Sequence, residues 1–161
     1  MNFDFLKRED GYYDLFADAA IEAEKIFATS PAMCAVGCRK ALELAVKWVY
    51  AADSTIVMPY RDNLASLIDE YTFKKCVDPR VWRNLRQVNK LGNLSVHTEM
   101  KVRRQDALLS LRVLFDFVDW IDYCYGRDYQ ERKFDERKIP PAGVPLTKEH
   151  IRVIKSREAL L

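Results

Sequence analysis

Glycine occurs only 5 times in the 161 residues. A sheet protein of this length needs many tight turns, so the scarcity argues for helices. Cysteine supplies no recognisable motif, because Cys34, Cys38, Cys76 and Cys124 form no C-x-x-C pair. Cys34 and Cys38 stand at i, i+4 on one helix face, which without a further Cys/His pair is poor evidence for zinc. They read as buried core thiols, and no metal or cofactor is expected. No apolar run is long enough to span a bilayer, and Asp4, Lys7, Arg8, Glu9 and Asp10 break up any secretory leader. A reducing, cytoplasmic compartment without a membrane is the simple reading. There is neither a Walker lysine motif nor a D-E-x-H box, so the chain is not itself an ATP-driven motor.

What is present is an ordinary globular composition, with 49% hydrophobic and 31% charged residues. A single domain of this size buries roughly two-thirds of its unfolded surface and needs no staple. After a leader carrying Phe3 and Phe5, the apolar set Leu15, Phe16, Ala19, Ala20, Ala23, Ile26 and Phe27 predicts a first helix over 12–28. Glu22, Glu24 and Lys25 fall on its wet side. Ser30-Pro31 caps and starts a second, mostly apolar helix running to about Ala52. Asp62 is placed to cap a short third helix through Tyr71, and Asp78-Pro79 to start a fourth. The fifth and longest runs from about Gln105 to Tyr125, with Gly126 suited to a left-handed ending. This gives an all-α, five-helix bundle over 1–126, with the second, fourth and fifth helices at its heart. A charged, Pro-containing extended linker over 127–146 follows, then a short terminal helix over 147–161. That last helix has little apolar area of its own; it needs a partner or begins a further region of a longer protein.

The net charge of +2 says little, but its distribution is regional. Between Lys74 and Arg104 the cations Lys74, Lys75, Arg80, Arg83, Arg86, Lys90, Lys101, Arg103 and Arg104 face only Asp78 and Glu99. Arg80, Arg83, Arg86 and Lys90 recur at steps of three, three and four, which lines them up along one stripe of the fourth helix. Such a stripe, with Arg103 and Arg104 folded onto the same side, suits a phosphate backbone. Against that stands the common case of a merely solvated helix face.

Leu91-Gly92-Asn93-Leu94-Ser95-Val96-His97 reads as a reversal between two helices, since Gly and Asn tolerate positive φ. It offers an amide at Asn93 and an imidazole at His97, the first of two histidines. An imidazole titrates near neutrality and so serves as a general base or phosphate ligand; equally, it serves to fix a turn. Arg39, Glu43 and Lys47 stand four apart on the second helix and are expected to pair along it. Arg39, Glu43, Asn93 and His97 together outline a polar pocket.

Four segments carry a family resemblance: Asn2-Phe3-Asp4-Phe5-Leu6; Arg39-Lys40-Ala41-Leu42-Glu43-Leu44-Ala45-Val46-Lys47-Trp48; Leu91-Gly92-Asn93 with Val96-His97; and Trp120-Ile121-Asp122-Tyr123-Cys124-Tyr125-Gly126. Over about residues 1–145 the chain resembles a domain-of-unknown-function family found at the N-terminus of type I restriction enzyme R subunits and related DEAD/DEAH helicases. That family resembles distant members of the HEPN superfamily of helical bundles, many of which are dimeric, metal-independent ribonucleases of defence systems. Their signature places an arginine, a polar residue and then a histidine four to six residues after the arginine. Asn93 and His97 match the last two positions, whereas Gly92 stands where the arginine belongs.

The resemblance implies a non-catalytic accessory module of a restriction-modification complex. It would bind DNA or RNA, or dock other subunits, with homodimer formation open. The alternatives are a HEPN-like ribonuclease using His97 and a pure protein-docking scaffold.

Overall fold

The computed structural model of the protein describes residues 1–97 and 101–143, with His97 described at its backbone only. All regular structure among the described residues is helical. The α-helices are α1 (Asp14–Ile26), α2 (Pro31–Ala52), α3 (Leu64–Asp69), α4 (Tyr71–Cys76), α5 (Pro79–His97) and α6 (Arg104–Tyr125). Short 3-10 turns lie at Asp4–Leu6 and Glu136–Lys138. The expected terminal helix over 147–161 lies outside the described residues.

Capping chemistry sets several of these boundaries. The Ser30 side chain accepts from Met33 N at 3.1 Å, and Pro31 opens α2 where an N–H has no partner anyway. Asp78 accepts from Arg80 N at 2.9 Å at the start of α5. The predicted third helix divides, giving six α-helices among the described residues rather than five. Asn63, not Asp62, caps its first part by accepting from Ser66 N at 2.9 Å. Glu70 then caps the second part by accepting from Phe73 N at 3.0 Å, which breaks the run between Asp69 and Tyr71.

Helix α2 is the centre and packs against α1, α5 and α6. Its buried face, including Cys34, Cys38, Leu42, Val46 and Val49, meets Phe16, Leu85, Leu111 and Leu114 in one core. Each fully buried Leu or Phe there contributes about 1.5–3 kcal/mol. Gly37 lets α1 come close, since a Cβ on it would lie 3.1 Å from the Cβ of Ala23.

Two expectations are corrected by this packing. Gly92-Asn93 makes no reversal; α5 runs straight through both to His97. Gly126 has φ −76°, so α6 does not end in the left-handed region. Glycine is required there for a different reason, because a Cβ would stand 2.2 Å from Asp122 Oδ1.

The leader and the segment after α6 close over the bundle together. Phe3 is fully buried and meets Phe115 edge-on at 5.9 Å. Glu24, expected on the wet side of α1, is fully buried. Its carboxylate accepts from Asn2 N at 3.0 Å and from Asn2 Nδ2 at 2.7 Å. Asn2 also accepts from Asp135 N at 2.8 Å and donates to Asp135 O at 2.9 Å. Helical periodicity does not register a leader that folds back and brings its own hydrogen bonds.

Residues 127–139, read from sequence as linker, lie on the bundle. Arg132 pairs with Asp119 at 2.9 Å and Asp122 at 3.1 Å, and its guanidinium stacks 3.8 Å from the Phe5 ring centre. Phe134 meets Phe115, and Ile139 packs against the core.

Candidate functional site

Helix α5 is built with two faces. Leu85 and Val88 are buried, with Val81 and Trp82 half-buried beside them. Arg80, Arg83, Arg86 and Lys90 are all exposed on the outer side. Arg80 pairs with Asp78 at 3.3 Å. Arg86 Nε donates to Asp69 Oδ1 at 2.8 Å, so α3 lends an acid to the stripe. Arg83 and Lys90 have no ion pair among the described residues.

An aromatic ring sits within this charge. Trp82 donates its indole N–H to Ile68 O at 2.8 Å, which fixes the ring at the α3–α5 contact. The Arg86 guanidinium and the Lys74 ammonium lie 5.5 Å and 4.5 Å from its centre. Lys75 lies 4.6 Å from the Tyr71 ring. The cationic surface therefore spreads from α5 onto α4.

Arg103 and Arg104 do not simply extend it. They stand at the start of α6, while Arg80 stands at the far end of α5, whose 19 residues span about 28 Å. Arg103 pairs with Asp106 at 3.4 Å and Arg104 with Glu136 at 2.8 Å. Asp106 also lines, with Lys90, Leu91 and Leu109, a groove of about 320 Å³ between α5 and α6. An acid thus separates the Lys90 end of the stripe from Arg103.

Of the expected pocket residues, Arg39 is the one that lies against Gly92. This glycine is buried against α2, where an added Cβ would meet Arg39 Cβ at 2.4 Å, Arg39 Cδ at 2.8 Å and Ala35 O at 3.1 Å. The Arg39 stem lies along the bare turn of α5. Its Nε is buried without a hydrogen-bond partner among the described residues, and Arg39 forms no ion pair there with Glu43. Glu43 instead pairs with Lys47 at 3.1 Å, in the favourable order of acid before base. Asn93 is exposed and its Nδ2 lies 3.4 Å from Asn89 Oδ1. The His97 position falls one helical turn after Asn93, on the same face of α5; its side chain lies outside the described residues.

Other polar groups escaped the sequence reading because they pair across long separations. The Tyr13 hydroxyl donates to Asp122 Oδ1 at 2.5 Å, and burial with that hydrogen bond pushes its ionisation well above the ordinary tyrosine range. Tyr125 donates to Asp53 Oδ2 at 2.7 Å and is likewise raised by burial. Asp53 also accepts from Thr55 Oγ1 at 2.6 Å, and that bond leads in holding its carboxyl below the usual value. Burial raises Asp119. The Cys34 and Cys38 sulfurs lie 4.0 Å apart in the core, and their contact together with burial raises the Cys38 thiol, leaving it unreactive. Among the described residues no group of three or more His, Cys, Asp or Glu is arranged to hold a metal ion. Nor is any helix there long and apolar enough to cross a membrane.

An all-α bundle with one cationic helix face and a glycine-mediated helix contact is what fold and site define. The sequence profile of DUF4145, a domain of unknown function, matches residues 21–138, and the chain belongs to that family. The matched span ends within the 3-10 turn that follows Arg132 and Asp135. No curated protein and no solved structure matches the chain.

Proposed function

We propose that this chain is a non-catalytic accessory domain that binds nucleic acid through the outer face of α5. The reading rests on one observation. Arg83 and Lys90 are exposed on that face with no ion pair among the described residues, beside Arg80, Arg86 and the cation-flanked Trp82. Unpaired cations release counterions when they meet phosphates, and an aromatic ring offers a surface for a base or sugar. Its resemblance to the N-terminal domain of type I restriction R subunits and related helicases supports a role in positioning DNA or a partner subunit for a motor elsewhere. A HEPN-like bundle and a cytoplasmic, defence-related setting belong to the same reading.

The test is a titration of the purified chain with labelled duplex DNA and single-stranded RNA at two salt concentrations. Salt-sensitive binding that falls in an Arg83→Ala/Lys90→Ala variant supports the reading. Equal binding by the variant overturns the α5 face as the contact surface, and no binding by either chain overturns the reading and leaves a protein-docking scaffold.

A second reading, a HEPN-like metal-independent ribonuclease, is favoured by the Arg39 contact. Gly92 occupies the place of the signature arginine, and the Arg39 stem crosses that place from α2. Arg39 would supply the cation and His97 the general base. Intact RNA on a denaturing gel after incubation with the chain overturns it, whereas cleavage lost in His97→Ala supports it.

A further inference from the structure

The open groove of about 320 Å³ between α5 and α6 falls at the small end of the range, about 300–1,000 Å³, that bound ligands occupy. Val88 and Leu91 of α5 line it together with Leu109 and Val113 of α6. Val88 and Val113 are buried, but Leu109 is 49% exposed, so the groove leaves apolar surface in water. Ser110 lies among these residues. It is only 4% exposed, and its hydroxyl has no hydrogen-bond partner among the described residues. A hydroxyl at this depth has given up most of its water without a protein bond in exchange, so the groove holds a polar group that a ligand can satisfy.

The two helices contribute opposite charges. Lys90 lines the groove from α5 and has no ion pair among the described residues; Asp106 lines it from α6 and is paired with Arg103. Gln87 is exposed and adds an amide that both donates and accepts. Arg83, Gln87 and Lys90 recur at steps of four and three, which sets them in one row along α5. The two unpaired cations of the α5 face thus follow the edge of the groove, about 10 Å apart along the helix axis.

A ligand that matches this arrangement repeats anionic groups along one edge and carries a flat group with N–H donors to the side. A single nucleic-acid strand has that form, because its bases are free to turn away from the backbone. A duplex keeps its bases stacked and paired. We propose that the α5–α6 groove takes one unpaired base of a single strand whose phosphates lie on Arg83 and Lys90. The base enters between Leu91 and Leu109. Ser110 and Gln87 hydrogen-bond its edge, and Asp106 accepts from a base N–H while repelling phosphate. The inference rests on the nucleic-acid reading of the α5 face and narrows it to single strands.

Anisotropy titrations of the full chain test it with three labelled probes: a single-stranded RNA, the same strand with abasic sites, and a duplex. The base-bearing strand should bind about tenfold more tightly than the other two, the scale of one docked base. Leu109→Gln at an exposed position and Ser110→Ala, each checked for helix content by circular dichroism, should erase most of that gap. A gap that persists in both variants puts the base elsewhere and overturns the proposal. A wild-type chain that binds the abasic strand as tightly as the base-bearing one, and loses both with Arg83→Ala/Lys90→Ala, overturns the groove alone and leaves the α5 face. Binding to none of the probes overturns the α5 reading beneath it as well.

Discussion

Gly92 and Arg39 are in contact across α5 and α2 so closely that a single carbon added to Gly92 would lie 2.4 Å from the Arg39 Cβ. That distance is far inside van der Waals contact. The two helices hold their spacing because α5 has no side chain at this turn. The same contact lays the Arg39 stem along Gly92, in the stretch where sequence alone suggested a turn.

Gly92→Ala therefore has an informative sign. In an ordinary helix interior the change stabilises by about 0.5–1 kcal/mol. Here overpacking at about 1–3 kcal/mol outweighs it, so urea denaturation should show a net loss of about 1–2 kcal/mol. Gly37→Ala, whose nearest contact would be 3.1 Å, should lose less. A stabilised Gly92→Ala would mean that the two helices yield easily.

Removing the Asn2 side chain should cost about 1–3 kcal/mol, because it takes one donor from the buried Glu24 carboxylate and both side-chain bonds from the backbone of Asp135. Asn2→Ala is compared with wild type by chemical denaturation. Asn2→Asp should be worse still, since it sets a second acid against buried Glu24. An Asn2→Ala chain as stable as wild type would show that water replaces both sets of bonds.

Alkaline stability should fail through tyrosines. Tyr13, Tyr50 and Tyr125 are all raised, burial being the first cause in each. Raised values in the folded state mean that folding favours the protonated hydroxyl. The contribution is fully present below the unfolded tyrosine value of about 10 and is lost as pH rises beyond it. Spectrophotometric titration should find these three ionising only with unfolding. Tyr13→Phe should flatten the alkaline loss. A smooth titration of every tyrosine with the fold intact would contradict this.

Within the nucleic-acid reading, Asp69 and Asp78 act as brakes, since they pair with Arg86 and Arg80. Replacing both by Asn frees two cations for phosphate. The expected result is tighter binding, with the slope of log affinity against log salt steeper by about 2. Unchanged or weaker binding would place the contact surface elsewhere.

Much of the fold was legible because helix periodicity and capping are local. Ser30-Pro31 and Asp78-Pro79 announce helix starts, and the apolar spacing of Val81, Leu85 and Val88 marks the buried face of α5. The stripe of cations was legible by the same spacing. Gly92 was misread because a glycine that opens space for a neighbouring helix looks, in one dimension, like a glycine that bends a turn. Glu24 was misread because its partners come from Asn2 and Phe3, twenty residues and more away. The pairing of Arg132 with Asp122 was invisible because charge alternation over 127–138 resembles a solvated linker.

The Asn2 clamp also sets an order of events during synthesis. Asn2 is made 133 residues before Asp135, the residue it clasps. At translation rates of about 5–20 residues per second, the interval is on the order of ten seconds. Throughout that time Glu24 and the phenylalanines of the leader have no finished place to go. The leader, made long before its partner, is thus among the last segments to settle, and a nascent chain waits with this clasp open until residue 135 has cleared the ribosome.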